Sequence, residues 1–78
     1  MPEVLKRILY DIQELENEII SHCDDEEEVA RMNEFLLDVW IDIVARFSWR
    51  APQSHIAYRN YLMRYVEYLR DLNERPNS

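Results

Sequence analysis

The sequence predicts an all-α protein, an antiparallel three-helix bundle in which a helical hairpin is followed by a third helix. Apolar residues recur every three or four positions over three long segments, which is the period of an amphipathic helix. The 78 residues include no glycine, and of the three prolines only Pro52 lies away from the ends. Sheets and tight hairpins need residues that accept positive φ, so this composition disfavours a β-rich fold. We expect a single domain over residues 1–78, with helices at 2–22, 25–49 and 53–73.

The first predicted helix carries the clearest apolar seam. Its seam residues alternate between spacings of three and four: Leu5, Ile8, Ile12, Leu15 and Ile19. Charged side chains are expected on the opposite face: Lys6, Asp11, Glu14 and Glu16. Pro2 suits the first turn, where its missing N–H would have no intrahelical acceptor. This pattern is typical of a helix that packs one face into a bundle.

The second predicted helix begins at an acidic run and is apolar around most of its circumference. Asp25 and Glu28 have the spacing of a capping box, with Asp in place of Ser or Thr. The polar residues fall on one narrow stripe: Arg31, Glu34, Asp38 and Asp42. The apolar remainder, about two-thirds of the circumference, exceeds the roughly 100° stripe of an ordinary surface helix. We therefore expect a homodimer with this central helix as its seam, because two further helices would struggle to cover it.

The third predicted helix follows a break in the pattern over residues 50–54. Either Pro52 takes the first helical position or Ser54 caps the helix, and the sequence is compatible with both. The inward face is expected to hold Tyr58, Leu62, Tyr65, Val66, Leu69 and Leu72. Tyr61 and Tyr68 fall at the edge of that face. Three arginines fall outside it: Arg59, Arg64 and Arg70. Residues 75–77 are expected to fray.

Charge divides sharply along the chain. Residues 1–45 hold thirteen acidic and three basic residues, a net charge of −10, whereas residues 46–78 hold six arginines and three acids, a net charge of +3. Eight of the nine basic residues are arginine. Arginine, tyrosine and tryptophan are enriched where proteins meet partners, because they combine planar contact area with directed hydrogen bonds. The pattern therefore indicates a surface that contacts another molecule.

The cysteine content and hydropathy bear on where the protein acts. Cys23 is the only cysteine, which excludes a disulfide within the chain and favours a reducing compartment. We identify no signal peptide, and the longest apolar stretch, residues 35–47, is interrupted by charges and too short to span a bilayer. We expect a cytoplasmic protein that does not bind membranes.

No constellation of residues indicates catalysis or a metal site, so we expect no cofactor and no metal. His22 and Cys23 precede a carboxylate run, but neighbouring helical residues point about 100° apart, and no CxxC or HxxxH pair is present. Glu18 and His22 are four residues apart, whereas bundle di-iron sites need three. The acids around Cys23 disfavour its thiolate, and His55 stands alone.

The residues that we expect to bind a partner are aromatic and charged. They are Glu34, Asp38, Trp40, Asp42, Phe47, Trp49, Arg50, Tyr61, Arg64 and Tyr68. Trp40, Phe47 and Trp49 are the expected anchors, and Trp49 falls on the polar stripe of the second helix, an unusual place for a large aromatic residue. Glu34, Asp38 and Asp42 form a ladder that is either solvated or opposed by arginines. The pattern favours a non-enzymatic protein-binding module, a small regulator, inhibitor or assembly subunit that recognises its partner by a helix face.

Two other classes of function stay open. An acidic inhibitor that imitates nucleic acid, of the kind found in phages and mobile elements, would use residues 24–28 with the acid ladder. A small helical enzyme would need buried arginines and a concave pocket. Direct nucleic-acid binding by the tyrosines and arginines of the third helix is disfavoured, because the net charge of −7 repels phosphate.

Overall fold

The computed structural model describes residues 3–74, which form three α-helices: α1 (Glu3–Ser21), α2 (Glu26–Arg46) and α3 (Pro52–Glu74). Ring contacts and ion pairs show that α2 runs antiparallel to α3, whereas α1 and α3 are parallel. Helix α3 packs against both other helices. The all-α three-helix bundle is thus confirmed. The expectations for Pro2 and for residues 75–77 lie outside the described residues.

The core follows the predicted seams of α1 and α3. Its buried apolar residues are Ile8, Ile12, Ile19, Leu36, Tyr58, Leu62 and Val66. Leu15, Tyr65 and Leu69 are half-buried and pack against this core. Leu72 was expected to face inward but is 41% exposed, because it lies in the last turns of α3, beyond the packed part of the core. The core is therefore narrow and lies mainly between α1 and α3, with Leu36 as the buried contribution of α2.

The turn between α1 and α2 contains the predicted capping interaction. Asp25 is the N-cap of α2, and its Oδ1 accepts a hydrogen bond from the Glu28 amide at 2.8 Å. The Glu28 carboxylate in turn accepts from the Asp24 amide at 2.7 Å, one residue before the position expected for a capping box. Three glutamates in the first turn also lie at the positive end of the helix dipole.

Helix α2 ends at Arg46, three residues before its predicted end. Phe47 has an extended backbone, and Ser48 then stabilises the turn, since its Oγ accepts from the Arg50 amide at 3.2 Å. Trp49 therefore lies in the turn, and its predicted place on the polar stripe of α2 is wrong. The apolar character of Phe47 and Trp49 extended the helical pattern beyond the residue at which the backbone leaves the helix.

Helix α3 begins at Pro52, so proline takes the first helical position that the sequence left undecided. Ser54 does not cap the helix; its buried hydroxyl instead donates to the carbonyl of Ser48. This hydrogen bond ties the first turn of α3 to the preceding loop. The start of α3 is thereby fixed relative to the end of α2 at Arg46.

Polar contacts line the boundary between α1 and α3. Asp11 pairs with Arg59 at 3.7 Å, and Glu16 accepts a hydrogen bond from Tyr58. The expectation that Asp11, Glu16 and Arg59 lie on outer faces is wrong, because these side chains are half-buried between the two helices. The Arg59 Nε atom is buried with no hydrogen-bond acceptor among residues 3–74.

Helix α2 is much less covered than the other two helices. Leu36 is its one buried residue in the described chain. Large apolar side chains remain in contact with solvent on two sides of it: Phe35 is 40% exposed, Leu37 55% and Ile41 53%. The prediction that α1 and α3 cannot cover the apolar surface of α2 is confirmed.

Candidate binding groove

A groove of about 570 Å³ runs between α2 and α3, and we call it the α2–α3 groove. Its apolar lining consists of Val39, Ile43, Phe47, Ala57 and Tyr61. Its polar walls consist of Asp38, Asp42 and Arg46 on α2 and Asn60 and Arg64 on α3. The groove therefore combines an apolar floor with walls of defined charge.

Helical spacing explains how the sequence builds this groove. Val39 and Ile43 are four residues apart and so lie along one line of α2, and Phe47, the residue that follows the end of the helix, completes the apolar lining. Asp38 and Asp42 each precede a floor residue by one position, which turns them about 100° toward the outer wall. Ala57 is small and leaves open space opposite this line. The groove therefore forms where the apolar side chains of Val39 and Ile43 on α2 face the small side chain of Ala57 on α3.

Aromatic side chains continue the apolar floor toward the other end of the bundle. The Phe35 ring lies 5.8 Å from the Tyr65 ring and 6.4 Å from the Tyr61 ring, measured between centroids. Tyr65 and Tyr68 stack at 6.2 Å. A cavity of about 280 Å³ lined by Tyr61, Arg64, Tyr65 and Tyr68 shares two of its residues with the α2–α3 groove. Burial, and to a smaller extent the neighbouring Tyr61 and Tyr68, raises the pKa of Tyr65 above its ordinary value.

The charges on the two walls are only partly neutralised within the chain. Asp42 pairs with Arg46 at 3.5 Å. Among residues 3–74, Glu34, Asp38 and Arg64 take part in no ion pair within 4.0 Å. Arg31, which lies on the same stripe of α2 as Glu34, pairs with Glu27 at 3.8 Å. Within the described residues, the α2 wall thus presents one carboxylate without an ion pair, that of Asp38, and the α3 wall one such guanidinium, that of Arg64.

The structure brings together most of the residues that the sequence singled out. Five of them line the α2–α3 groove: Asp38, Asp42, Phe47, Tyr61 and Arg64. Tyr68 lies in the adjoining aromatic cavity. Glu34 is exposed one turn before Asp38 on the same helix.

Three of the expected binding residues lie elsewhere. Trp40 is half-buried and packs against His55 at 5.1 Å and Tyr58 at 5.5 Å, so it joins α2 to α3 inside the bundle. Trp49 is 62% exposed in the turn, where the Arg50 guanidinium lies 4.9 Å from its ring centroid. Trp40 therefore serves the core, and Trp49 and Arg50 form a separate feature at the end of the bundle.

Sequence reasoning missed the groove residues Val39, Ile43 and Ala57 and the neighbouring Phe35. All except Ala57 were counted in one wide apolar face of α2, whereas the structure divides that face into the groove side and an opposite stripe with Leu37 and Ile41. The sequence did contain one signal for the groove, because the apolar residues Phe35, Val39, Ile43 and Phe47 are each four positions apart. It becomes informative only when the register of α2 against α3 is known.

A second cavity, of about 330 Å³, lies near the α1–α2 turn and includes His22 and Cys23 in its lining. His22 Nδ1 lies 2.9 Å from the Asn73 side-chain nitrogen, so the amide donates and the ring nitrogen accepts. Burial is the main cause that raises the pKa of Cys23, and the charges of Glu28, Asp24 and Asp25 raise it further. Among residues 3–74, no group of three or more His, Cys, Asp or Glu side chains is arranged to hold a metal ion.

Comparisons with known proteins give no relative from which a function could be transferred. No model of a protein family, no curated protein and no solved structure matches this chain significantly. In the described part of the chain, none of the helices is both long and apolar enough to cross a bilayer. The α2–α3 groove is thus the surface on which a functional hypothesis can be based.

Proposed function

We propose that this chain is a non-enzymatic protein-binding module, a small regulator, inhibitor or assembly subunit that binds through the α2–α3 groove. The observation that carries this proposal is the set of large apolar side chains that the groove and its aromatic extension leave exposed. Phe47 is 49% exposed, Phe35 40% and Tyr61 39%. Aromatic residues and arginine are enriched at protein interfaces, and here they occur with Arg64 on one continuous surface.

The shape of the surface favours recognition of a helix face. Phe35 lies on α2 and Phe47 directly follows its end, so the surface between them extends along about three turns of the helix, or about 18 Å. A groove of this length between two antiparallel helices fits the apolar side of another helix or pair of helices. The partner is a second copy of this chain or another protein.

Two features favour a binding role over catalysis, and a third favours a cytoplasmic location. The raised pKa of Cys23 disfavours a nucleophilic thiolate. Arg59, the arginine most enclosed by the bundle, faces the carboxylate of Asp11. The single cysteine is compatible with a reducing compartment such as the cytoplasm.

A second candidate function, imitation of nucleic acid, is favoured by the carboxylates of Glu34 and Asp38, which form no ion pair in the described part of the chain. Carboxylates along one helix face can occupy a phosphate-binding surface on another protein. Asp25 and Glu28 contribute less to such a surface, since both are engaged in capping α2. This function would be driven by charge, whereas docking into the groove would be driven by apolar contact.

Differential capture tests the proposal. Wild-type protein, the double variant Phe47→Ala/Tyr61→Ala and the control Tyr10→Ala would each be immobilised and exposed to an extract of the cells that express the protein. Tyr10 is 59% exposed on α1, away from the groove. We expect a protein that is retained by the wild type and the control but not by the groove variant, after circular dichroism has shown equal helicity.

The affinity of the purified partner then separates the two candidate functions. Groove binding predicts about a tenfold or greater loss of affinity in Phe47→Ala/Tyr61→Ala and little dependence on salt. Imitation of nucleic acid predicts a steep loss of affinity with salt and on Glu34→Gln/Asp38→Asn. Equal affinity of the wild type and the groove variant would contradict the proposed function.

A further inference from the structure

We infer that the occupant of the α2–α3 groove is the same groove of a second copy, in a two-fold dimer that places α2 of each protomer over α3 of the other. This inference rests on the proposed function, because it uses the same groove. It adds the identity of the occupant and the orientation in which the two copies meet.

The distribution of charge between the two walls is the first argument. The α2 wall carries Asp38, with Glu34 one turn before it, and the α3 wall carries Arg64; none of the three forms an ion pair within residues 3–74. A two-fold axis in the interface, parallel to the helices, places α2 of one protomer opposite α3 of the other. Asp38 of each protomer then faces the α3 wall that carries Arg64 of the other, once on each side of the axis, as an isologous interface requires.

The height of these charges along the bundle is the second argument. Phe35 of α2 lies between Tyr61 and Tyr65 of α3, so Arg64 lies close to the level of residues 34–36 of α2. A two-fold axis parallel to the helices leaves every residue at its own height. Arg64 of one protomer therefore meets the segment of the other protomer that contains Glu34 and, one turn on, Asp38.

The other two-fold arrangement is disfavoured by the same charges. An axis perpendicular to the helices in the interface would place α2 over α2 and α3 over α3. With that axis at the height of Asp38, this carboxylate would face its own copy, and Arg64 would lie over α3 of the other protomer, away from the carboxylates of α2. Like charges across an interface are costly, so the positions of Asp38 and Arg64 favour the arrangement of α2 over α3.

The area of this face is sufficient for a dimer. The described chain has an accessible surface of 6068 Å², and an interface of standard size buries roughly 800 Å² per partner. The α2–α3 face is one of three sides of a three-helix bundle, so it offers more than that area. A chain of 78 residues is also near the size at which oligomerisation commonly supplements a small core.

The test uses two charge-reversal variants, Asp38→Arg and Arg64→Glu, measured separately and mixed. Each variant alone opposes like charges at both symmetric positions, so we expect its dissociation constant to rise about tenfold or more relative to the wild type. Mixed in equal amounts, the two variants oppose unlike charges at both positions, and we expect them to form a heterodimer with an affinity near that of the wild type. Analytical ultracentrifugation gives the constants, and native mass spectrometry identifies the mixed species.

One control variant accompanies this test, and three results would contradict the proposed dimer. Leu37→Arg changes an exposed apolar residue of α2 outside the groove, and we expect it to dimerise like the wild type. A dimer broken by Leu37→Arg but not by Asp38→Arg would place the seam on the opposite stripe and overturn the inference. A monomeric wild type, or a mixture no tighter than its components, would also overturn it. Such a monomer would leave the proposed function standing, because the groove would then be open to another protein, as the capture experiment would show.

Discussion

Tyr58 of α3 donates a hydrogen bond of 2.7 Å from its hydroxyl to Oε2 of Glu16 on α1, 42 residues earlier in the chain. The same tyrosine is 6% exposed, and its ring lies edge-on to Trp40 of α2 at 5.5 Å. Burial, together with the hydrogen bond to Glu16, raises the pKa of Tyr58 well above its ordinary value. One residue thus connects all three helices, through a polar contact on one side and an aromatic contact on the other.

Removal of the Tyr58 hydroxyl should measurably destabilise the bundle. Tyr58→Phe keeps the ring but leaves Glu16 without its donor, and a hydrogen bond to a charged group contributes about 1.5–3 kcal/mol. We expect a loss of about 1–2 kcal/mol in the free energy of unfolding, measured with urea, because Glu16 regains some hydration. Tyr10→Phe, at an exposed site on α1, should change it by less than about 0.5 kcal/mol. Equal effects of the two variants would contradict the role of this contact.

Truncation in the core should be far more costly than truncation at the end of α3. Leu62 is 0% exposed and Leu72 is 41% exposed on the same helix. We expect Leu62→Ala to lower the free energy of unfolding by about 2–5 kcal/mol, since it leaves a cavity. Leu72→Ala should cost less than about 1 kcal/mol. Thermal and urea denaturation followed by circular dichroism would compare the two, and similar losses would show that the core extends to the end of α3.

The pH dependence of stability should reveal the Glu18–Arg70 pair. Arg70 donates two hydrogen bonds, of 2.6 and 2.7 Å, to the Glu18 carboxylate and lowers its pKa in the folded state. A carboxylate with a lowered folded pKa contributes stability above its unfolded pKa and loses it as pH falls through the folded pKa. The wild type should therefore be more stable than Glu18→Gln at neutral pH, with the difference shrinking to nothing in strong acid.

The control for this pH dependence is Glu14→Gln, at an exposed glutamate one turn before Glu18. Among residues 3–74, Glu14 takes part in no ion pair within 4.0 Å. We expect its substitution to leave the stability profile close to that of the wild type between acid and neutral pH. A difference between the wild type and Glu18→Gln that stayed constant with pH would assign the effect to packing instead of charge.

The local parts of this fold could be predicted from sequence, because local interactions determine them. The seam of α1 follows from spacing alone, and the start of α2 follows from Asp25 and Glu28, which contact each other within one turn. The end of α2 could not be predicted in this way. It depends on Ser48, whose carbonyl accepts from Ser54 six residues later, after the chain has turned.

Several residues of the α2–α3 groove were singled out from composition, but their assembly into one groove was not predicted. Phe47, Tyr61 and Arg64 are among these residues, and the structure places them along one groove. Trp40 has the same aromatic character and yet packs inside the bundle, against His55 and Tyr58. The difference is set by the rotation of α2 relative to α3. That rotation is a tertiary property, and no spacing within one helix encodes it.

The reactivity of Cys23 should be low at neutral pH. Burial raises the pKa of its thiol, and the carboxylates of Glu28, Asp24 and Asp25 raise it further. Because the thiolate is the nucleophile, alkylation by iodoacetamide at pH 7 should be slower in the folded protein than in urea, and its rate should keep rising above the usual thiol range. A folded protein that reacted at pH 7 as fast as the unfolded chain would contradict this prediction.

The two aromatic residues near the end of α2 should differ in their effect on association. Phe47 lines the α2–α3 groove, whereas Trp49 is more exposed, outside the groove, with its ring beside Arg50. We expect Phe47→Ala to raise the dissociation constant of the dimer about tenfold, as the loss of a large aromatic contact can do at interfaces. Trp49→Ala should change it by less than about twofold. Sedimentation velocity over a range of concentrations measures both variants, with unfolding curves to confirm that each is folded. A larger effect of Trp49→Ala than of Phe47→Ala would move the binding surface from the groove to the α2–α3 turn.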